Sequence, residues 1–314
     1  MGLDEADFRV LKEFSGNKLS RVALVEHLRT GRKAILKRVE LVHPEKQRLE
    51  VQIHARLDHK FIIKLLDYKL TDRYLLLLIE FAKHGDLFGL LPRLRSAEEV
   101  TLLRLFYGVV QAVGYLHRLG YVHRDIKPEN VLLTRGMQPK LADFGSSAAH
   151  KKLRNTFCGT FEYMAPEIYL RNSQSAKVDV WALGVLLYEL FHGHTPFRRD
   201  TISVIQGKLA REALEFRAGV SPAVRALLLR ILRFAPEERP DCAEILESEL
   251  FDCFRDRASC RADLECPAMS SSLRELTEAL RKSRAEPASA ALAQPMTVSE
   301  VMPFPDLRRA APAA

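Results

Sequence analysis

The alternation of apolar and polar positions changes period along the chain. Over residues 8–39, β-branched and aliphatic residues are interrupted by Gly16 and by the Thr30-Gly31 pair, which predicts antiparallel strands joined by tight connections. Pro44 suits a first helical position, and Leu49, Ile53 and Leu57 recur at helical spacing behind it. Strand-like runs at 61–68 and 73–81 complete a small sheet with one helix packed on it. Leu102, Phe106, Val109, Val113 and Leu116 then mark a helix ended at Gly120. Residues 178–191 are apolar on nearly every face, so this helix belongs inside a larger helical region, where a charge such as Asp179 or Glu189 needs a partner.

Beyond Phe254 the chain becomes rich in Ala, Ser, Pro and Arg, with one amphipathic stretch at 271–283 carrying Leu273, Leu276 and Leu280. No repeat period recurs. The expected class is α+β. A short segment 1–7 precedes a domain at 8–254, with a small antiparallel lobe at 8–81 and a mainly helical lobe at 82–254. A low-complexity, mostly disordered tail follows at 255–314.

Composition narrows the classes further. With 314 residues, 47% hydrophobic and 28% charged, the chain has material for a large core. Its longest apolar run, 74–79, is far short of the roughly 20 residues of a spanning helix, and no charged-then-apolar leader opens the sequence, so neither membrane nor secretory path is expected. Cys158, Cys242, Cys253, Cys260 and Cys266 show no paired spacing, which fits a reducing, intracellular compartment and argues against thiol-bound metal. The net charge of +8 is scattered, as on a solvated basic surface, and the tail arginines have no interleaved aromatics, so nucleic acid is not an expected partner. Gly2 is not followed by Ser or Thr at position 6, where Ala6 stands, so myristoylation is not expected.

The candidate chemistry is concentrated in an ordered set. His123-Arg124-Asp125-Ile126-Lys127-Pro128-Glu129-Asn130 is followed by Asp143-Phe144-Gly145 and then by Ala165-Pro166-Glu167. A lone Asp-Phe-Gly is usually just a turn; the ordered set resembles the signature of eukaryotic protein kinases over about four-fifths of the chain. The resemblance implies a bilobal kinase fold and transfer of the γ-phosphate of ATP, with Mg2+, to protein hydroxyls. Asp125 then resembles the catalytic base, because an alcohol attacks phosphorus only with a carboxylate in reach. Asn130 and Asp143 resemble the metal-holding pair. Lys127 resembles the lysine that contacts the transferred phosphate in serine/threonine kinases. Lys37 resembles the strand lysine gripping the α- and β-phosphates, and Glu50 its helical ion-pair partner, against the plain reading of Glu50 as an exposed helix carboxylate.

By the same resemblance Glu80, Phe81 and Ala82 form the hinge against adenine, with Ile79 behind the pocket, Asp86 near the ribose and Leu132 as floor. Ser15, Val22, Ile35 and Glu129 complete the expected nucleotide-side set. Asp179 resembles the buried aspartate holding the His-Arg-Asp backbone, and Glu167 the partner of an arginine assigned to Arg239. Thr156 sits where many kinases are phosphorylated, with Arg124 and Arg154 to pair the phosphate; unmodified, it is an ordinary loop threonine. Asp86, Glu129 and Glu189 match positions that read arginine upstream of the acceptor in basophilic kinases. The stretch 141–167 is most similar to Aurora kinases and next to the cyclic-nucleotide-dependent group, and polar His54 agrees. That likeness implies basic protein substrates, an activating partner on the small lobe and, by analogy, the spindle or centrosome.

Several positions depart from the family. Ser146 stands where Auroras carry tryptophan. Ser15, Asn17 and Ser20 replace the three glycines of the phosphate-covering loop, with only Gly16 to compensate, which should weaken nucleotide binding. Ile35 replaces a small alanine and narrows the adenine site. Positions 37 and 50 are only 13 apart, a short connection that should hold the helix inward. A kinase-shaped scaffold with weak nucleotide binding is the alternative these departures raise.

Overall fold

The computed structural model describes residues 3–17, 19–149, 161–198 and 200–255, with the side chains of 15–17 outside that description. Thr156, Arg154 and the expected tail helix at 271–283 lie outside the described residues. The described residues divide into two compact units, one containing the chain up to Ala55 and Lys64–Phe81, the other Arg56–Ile63 and the described residues from Ala82 to Arg255.

In the first unit, strands β1 (Phe8–Asn17), β2 (Ser20–His27), β3 (Lys33–Glu40), β4 (Leu65–Leu70) and β5 (Tyr74–Glu80) form one antiparallel sheet in the order β1-β2-β3-β5-β4. Helix α1 (Pro44–His54) begins at the expected proline and is separated from β3 by only three residues, 41–43. It ends at His54, so Leu57 lies beyond it. The sheet buries apolar side chains on both faces. Leu76 and Leu78 join Phe8, Ala23, Val25, Ala34 and Leu36 in one cluster, while Leu75 and Leu77 pack with Val51 of α1. Hence β5 reads as a continuous apolar run rather than an alternation. Each such leucine contributes roughly 1.5–3 kcal/mol when fully buried.

The strand expected from residue 61 starts at Leu65 instead. Phe61, Ile62 and Ile63 are buried, but their ladder partner is Leu141: Ile63 N donates to Leu141 O at 2.9 Å, and Leu141 N to Phe61 O at 2.8 Å. An apolar run at this point does not reveal which element it will pair with.

The second unit is mainly helical. It contains α2 (Leu91–Leu94), α3 (Glu99–Arg118), β6 (Tyr121–Val122), β7 (Val131–Leu133), β8 (Pro139–Leu141), β9 (Ala148–Ala149), α4 (Pro166–Tyr169), α5 (Lys177–His192), α6 (Ile202–Ala210), α7 (Pro222–Ile231), α8 (Cys242–Leu246) and α9 (Asp252–Arg255). Helix α3 buries the expected Leu102, Phe106, Val109, Val113 and Leu116, and the turn after it uses Gly120 at φ 78°. Helix α5 is buried from Val178 to its end. Glu167, of the Ala-Pro-Glu triplet, meets Arg239 in a buried bidentate pair with Nη1 to Oε1 at 2.7 Å and Nη2 to Oε2 at 2.8 Å. The remaining Arg239 donors reach Arg233 O, Lys177 O and Phe234 O, so all five N–H groups are used.

Candidate active site

The best-defined constellation lies in the second unit and begins with Asp179 on α5. Its carboxylate accepts from the backbone N–H of His123 and of Arg124, each at 2.8 Å, and from His117 Nε2 at 2.8 Å. Burial alone would raise its pKa. The hydrogen bond from His117, the electrostatic pull of the His117 and His123 rings and the Arg124 N–H outweigh burial and hold it below the ordinary carboxylate range. The charge that the apolar helix required a partner for is thus triply bonded. Arg124, held this way, adopts φ 67°, an uncommon conformation for a non-glycine residue, and its Nε donates to Ser146 O at 2.8 Å.

His123 is fully buried, and desolvation lowers its pKa against the pull of Asp179, Asp143 and Asp125. Its Nδ1 faces the Asp125 N–H at 3.3 Å, so the neutral ring donates through Nε2 to Ala142 O at 3.1 Å. Phe144 packs edge-on against it at 5.4 Å.

Asp125 follows directly. Lys127 Nζ lies 2.9 Å from its Oδ2, and Asn130 Nδ2 donates to the same Oδ2 at 2.9 Å and to the Asp125 carbonyl at 2.7 Å. Asn130 is buried, its own carbonyl accepts from Ala142 N at 2.8 Å, and one residue further along is Asp143. Asp143 is exposed at φ 62°, and its Oδ1 accepts from Gly145 N at 3.2 Å. The local turn therefore brings Asp125, Lys127 and Asn130 into direct contact, with Asp143 tethered beside them through the Asn130–Ala142 bond.

Asp86 and Leu132 are bridged as antiparallel partners, and Asp86 Oδ1 accepts from Gly89 N at 2.8 Å, so one oxygen of the expected ribose ligand caps the next turn. Ala82 is buried and its carbonyl accepts from Gly85 N. In the first unit, Lys37 is half-buried at the middle of β3, directly between Val22 and Leu77, and Ile35 is the cross-strand partner of Ile79. Glu50 is half-buried on α1. Glu80 Oε2 accepts from the N–H of Lys64, the residue just before β4, at 3.1 Å. Ser15 falls in β1.

An acidic group lies further along α5. Glu189 is buried, and its pKa is pushed up to about 7 by burial and by the negative charges of Glu129 and Glu162, with Arg198 opposing. Its Oε2 is buried without a hydrogen-bond partner among the described residues. Glu162, whose Oε2 accepts from Thr195 Oγ1 at 3.2 Å, was not singled out from the sequence, nor was His117. The signal for His117 is the same one that flagged Asp179: a charge in an apolar helix needs donors, and a histidine on a second buried helix is one.

Comparison with known proteins agrees with this geometry. The sequence pattern described as the protein kinase domain matches residues 15–251. The Aurora kinase of Schizosaccharomyces pombe is 34% identical over 257 residues, covering 79% of this chain and 72% of the relative. Aurora kinase C of Mus musculus is 33% identical over 248 residues, covering 77% and 90%. CBL-interacting serine/threonine-protein kinase 14 of Arabidopsis thaliana is 35% identical over 208 residues, covering 64% and 47%.

The chain belongs to the protein kinase family and, within it, is an Aurora-like serine/threonine protein kinase. As such it uses ATP with a divalent metal and acts on protein substrates. Among the described residues no helix is long and apolar enough to cross a membrane.

Proposed function

We propose that the protein transfers the γ-phosphate of ATP to Ser or Thr hydroxyls of proteins carrying arginine upstream of the acceptor, with Asp125 as the base. The observation that carries this reading is the Asp125 carboxylate, whose Oδ2 is held by both Asn130 Nδ2 and Lys127 Nζ. A carboxylate so held costs little reorganisation when it orients the attacking hydroxyl and takes its proton. Lys127, already beside Asp125, follows the transferred phosphoryl oxygens; Lys37 grips the α- and β-phosphates, with Glu50 as its ion-pair partner.

Asn130 and Asp143 are the residues that would hold magnesium. Their donors are hard amide and carboxylate oxygens. Magnesium is ordinarily bound through one or two such oxygens plus substrate phosphates, so the set fits. When bound, the metal neutralises charge on the phosphate oxygens.

Glu129 and Glu189, with Asp86, support the arginine preference. The reading also includes activation by phosphate on Thr156, an activating partner on the small lobe, and an intracellular location in cytoplasm or nucleus. The scaffold reading is favoured by Ser15, Asn17 and Ser20 in place of loop glycines and by Ile35 in place of a small alanine. Phosphate transfer to paired peptides with and without the upstream arginine tests both. The account expects transfer that depends on Asp125 and is faster with arginine; no transfer to any peptide, with Thr156 phosphorylated, would favour the scaffold.

A further inference from the structure

Cys242 has no role in the reading above, yet three local features aim it at the support of the catalytic loop. It is the first residue of α8, whose start is fixed by a reciprocal capping box: Glu244 N donates to Asp241 Oδ1 at 2.8 Å, and Asp241 N to Glu244 Oε2 at 2.6 Å. Helix α3 presents Gly114 to it. A Cβ at Gly114 would lie 3.1 Å from the Cys242 Cβ, so the glycine opens the notch that the cysteine occupies. One turn further along α3, His117 Nδ1 lies 3.8 Å from Cys242 Sγ, while its Nε2 lies 2.8 Å from Asp179 Oδ2.

The direction of each hydrogen bond follows from the chemistry of the partners. An ionised carboxylate only accepts, so the proton between His117 and Asp179 sits on Nε2. In the neutral ring Nδ1 then holds a lone pair. The Cys242 thiol is buried, with 4% of its surface exposed, and burial pushes its pKa well above the ordinary thiol value, so it keeps its proton. The thiol is the donor, and Nδ1 accepts.

We propose that Cys242 is a positioning residue for phosphate transfer: its S–H fixes His117 as the Nε2–H tautomer, which completes the set of donors on Asp179. Asp179 in turn holds the backbone N–H groups of His123 and Arg124, the two residues immediately before Asp125, in the uncommon conformation that Arg124 adopts. Cys242 touches neither nucleotide nor acceptor; it acts three groups away, through side chains joined at 3.8 and 2.8 Å. The inference rests on Asp125 being the base.

The test combines 15N NMR of the imidazole nitrogens in the full chain with steady-state kinetics of Cys242→Ala and Cys242→Ser. Expected are the Nε2–H tautomer of His117 at pH 7.5 in the unaltered protein and a shift of its Nδ1 resonance in Cys242→Ala, where the Nδ1 lone pair loses its donor. Expected also is a kcat about three- to tenfold lower in Cys242→Ala, the worth of one hydrogen bond, with KM for ATP unchanged. Cys242→Ser, which keeps a hydroxyl donor, should recover part of both effects. An Nδ1–H tautomer in the unaltered chain, an Nδ1 resonance unmoved by Cys242→Ala, or a kcat loss matched by a rise in KM would each overturn it. The tautomer is read without turnover and without any variant having to fold. A failure of the assignment of Asp125 as base would show separately, as transfer indifferent to Asp125→Asn.

Discussion

Asn130 reaches back five residues to hold Asp125 twice, through Nδ2 to the carbonyl at 2.7 Å and to Oδ2 at 2.9 Å. One side chain thus fixes both the backbone and the carboxylate of the proposed base. Asp125→Asn keeps the shape but not the basicity, and is expected to lower kcat by about a hundredfold to ten-thousandfold with little change in KM for ATP. Steady-state kinetics on a variant with unaltered circular dichroism checks this; kcat within threefold of the parent would remove Asp125 from the role.

The Glu167–Arg239 pair is a matter of stability. Both side chains are almost fully buried, so removing one leaves an uncompensated charge inside the unit. Glu167→Ala is expected to destabilise by about 3–5 kcal/mol and to lower the melting temperature by roughly 10 °C. Calorimetry measures it, and a shift below about 2 °C would mean the pair contributes little.

How far the sequence could be read depended on the range of the interactions. Asp179 was legible because an aspartate in an apolar helix has to be bonded, and the residues it bonds are in the recognisable His-Arg-Asp triplet. Glu167 and Arg239 were legible through resemblance, although 72 positions apart. Helix α1 began where Pro44 said it should. Phe61, Ile62 and Ile63 were misread as strand because an apolar run carries no label for its partner, here Leu141. The contact of Cys242 with His117 spans 125 positions and involves two residues of no fixed preference. Nothing local marks it, and only the packing of α8 on Gly114 makes it.

Three histidines should make the protein acid-sensitive. His59, His123 and His192 all have pKa values lowered from about 6.5, His59 to about 4, with desolvation as the leading cause in each. Their folded values lie below the unfolded one, so the unfolded chain binds more protons as pH falls. The stability they contribute is fully present above about pH 6.5 and is lost as pH falls toward the folded values. Urea midpoints at pH 7.5, 6.5 and 5.5 should decline in that order, and a flat series would contradict the assignment.

Glu189 has the opposite sign. Its folded pKa is raised to about 7, so its ionisation costs stability as pH rises through 7. Glu189→Gln is therefore expected to raise the melting temperature at pH 8 while reducing the preference for an arginine peptide over its norleucine counterpart. In the parent protein that preference should grow from pH 6 to pH 8 as Glu189 loses its proton. A preference independent of both pH and the substitution would exclude Glu189 from arginine recognition.

The most direct test is transfer of labelled phosphate from ATP with magnesium to an arginine-containing Ser/Thr peptide, comparing the intact chain with Asp143→Asn and mapping any phosphate on Thr156. The account predicts measurable transfer by the intact chain and its loss in Asp143→Asn. Equal incorporation by the two proteins, or none by the intact chain even with Thr156 phosphorylated, would contradict it.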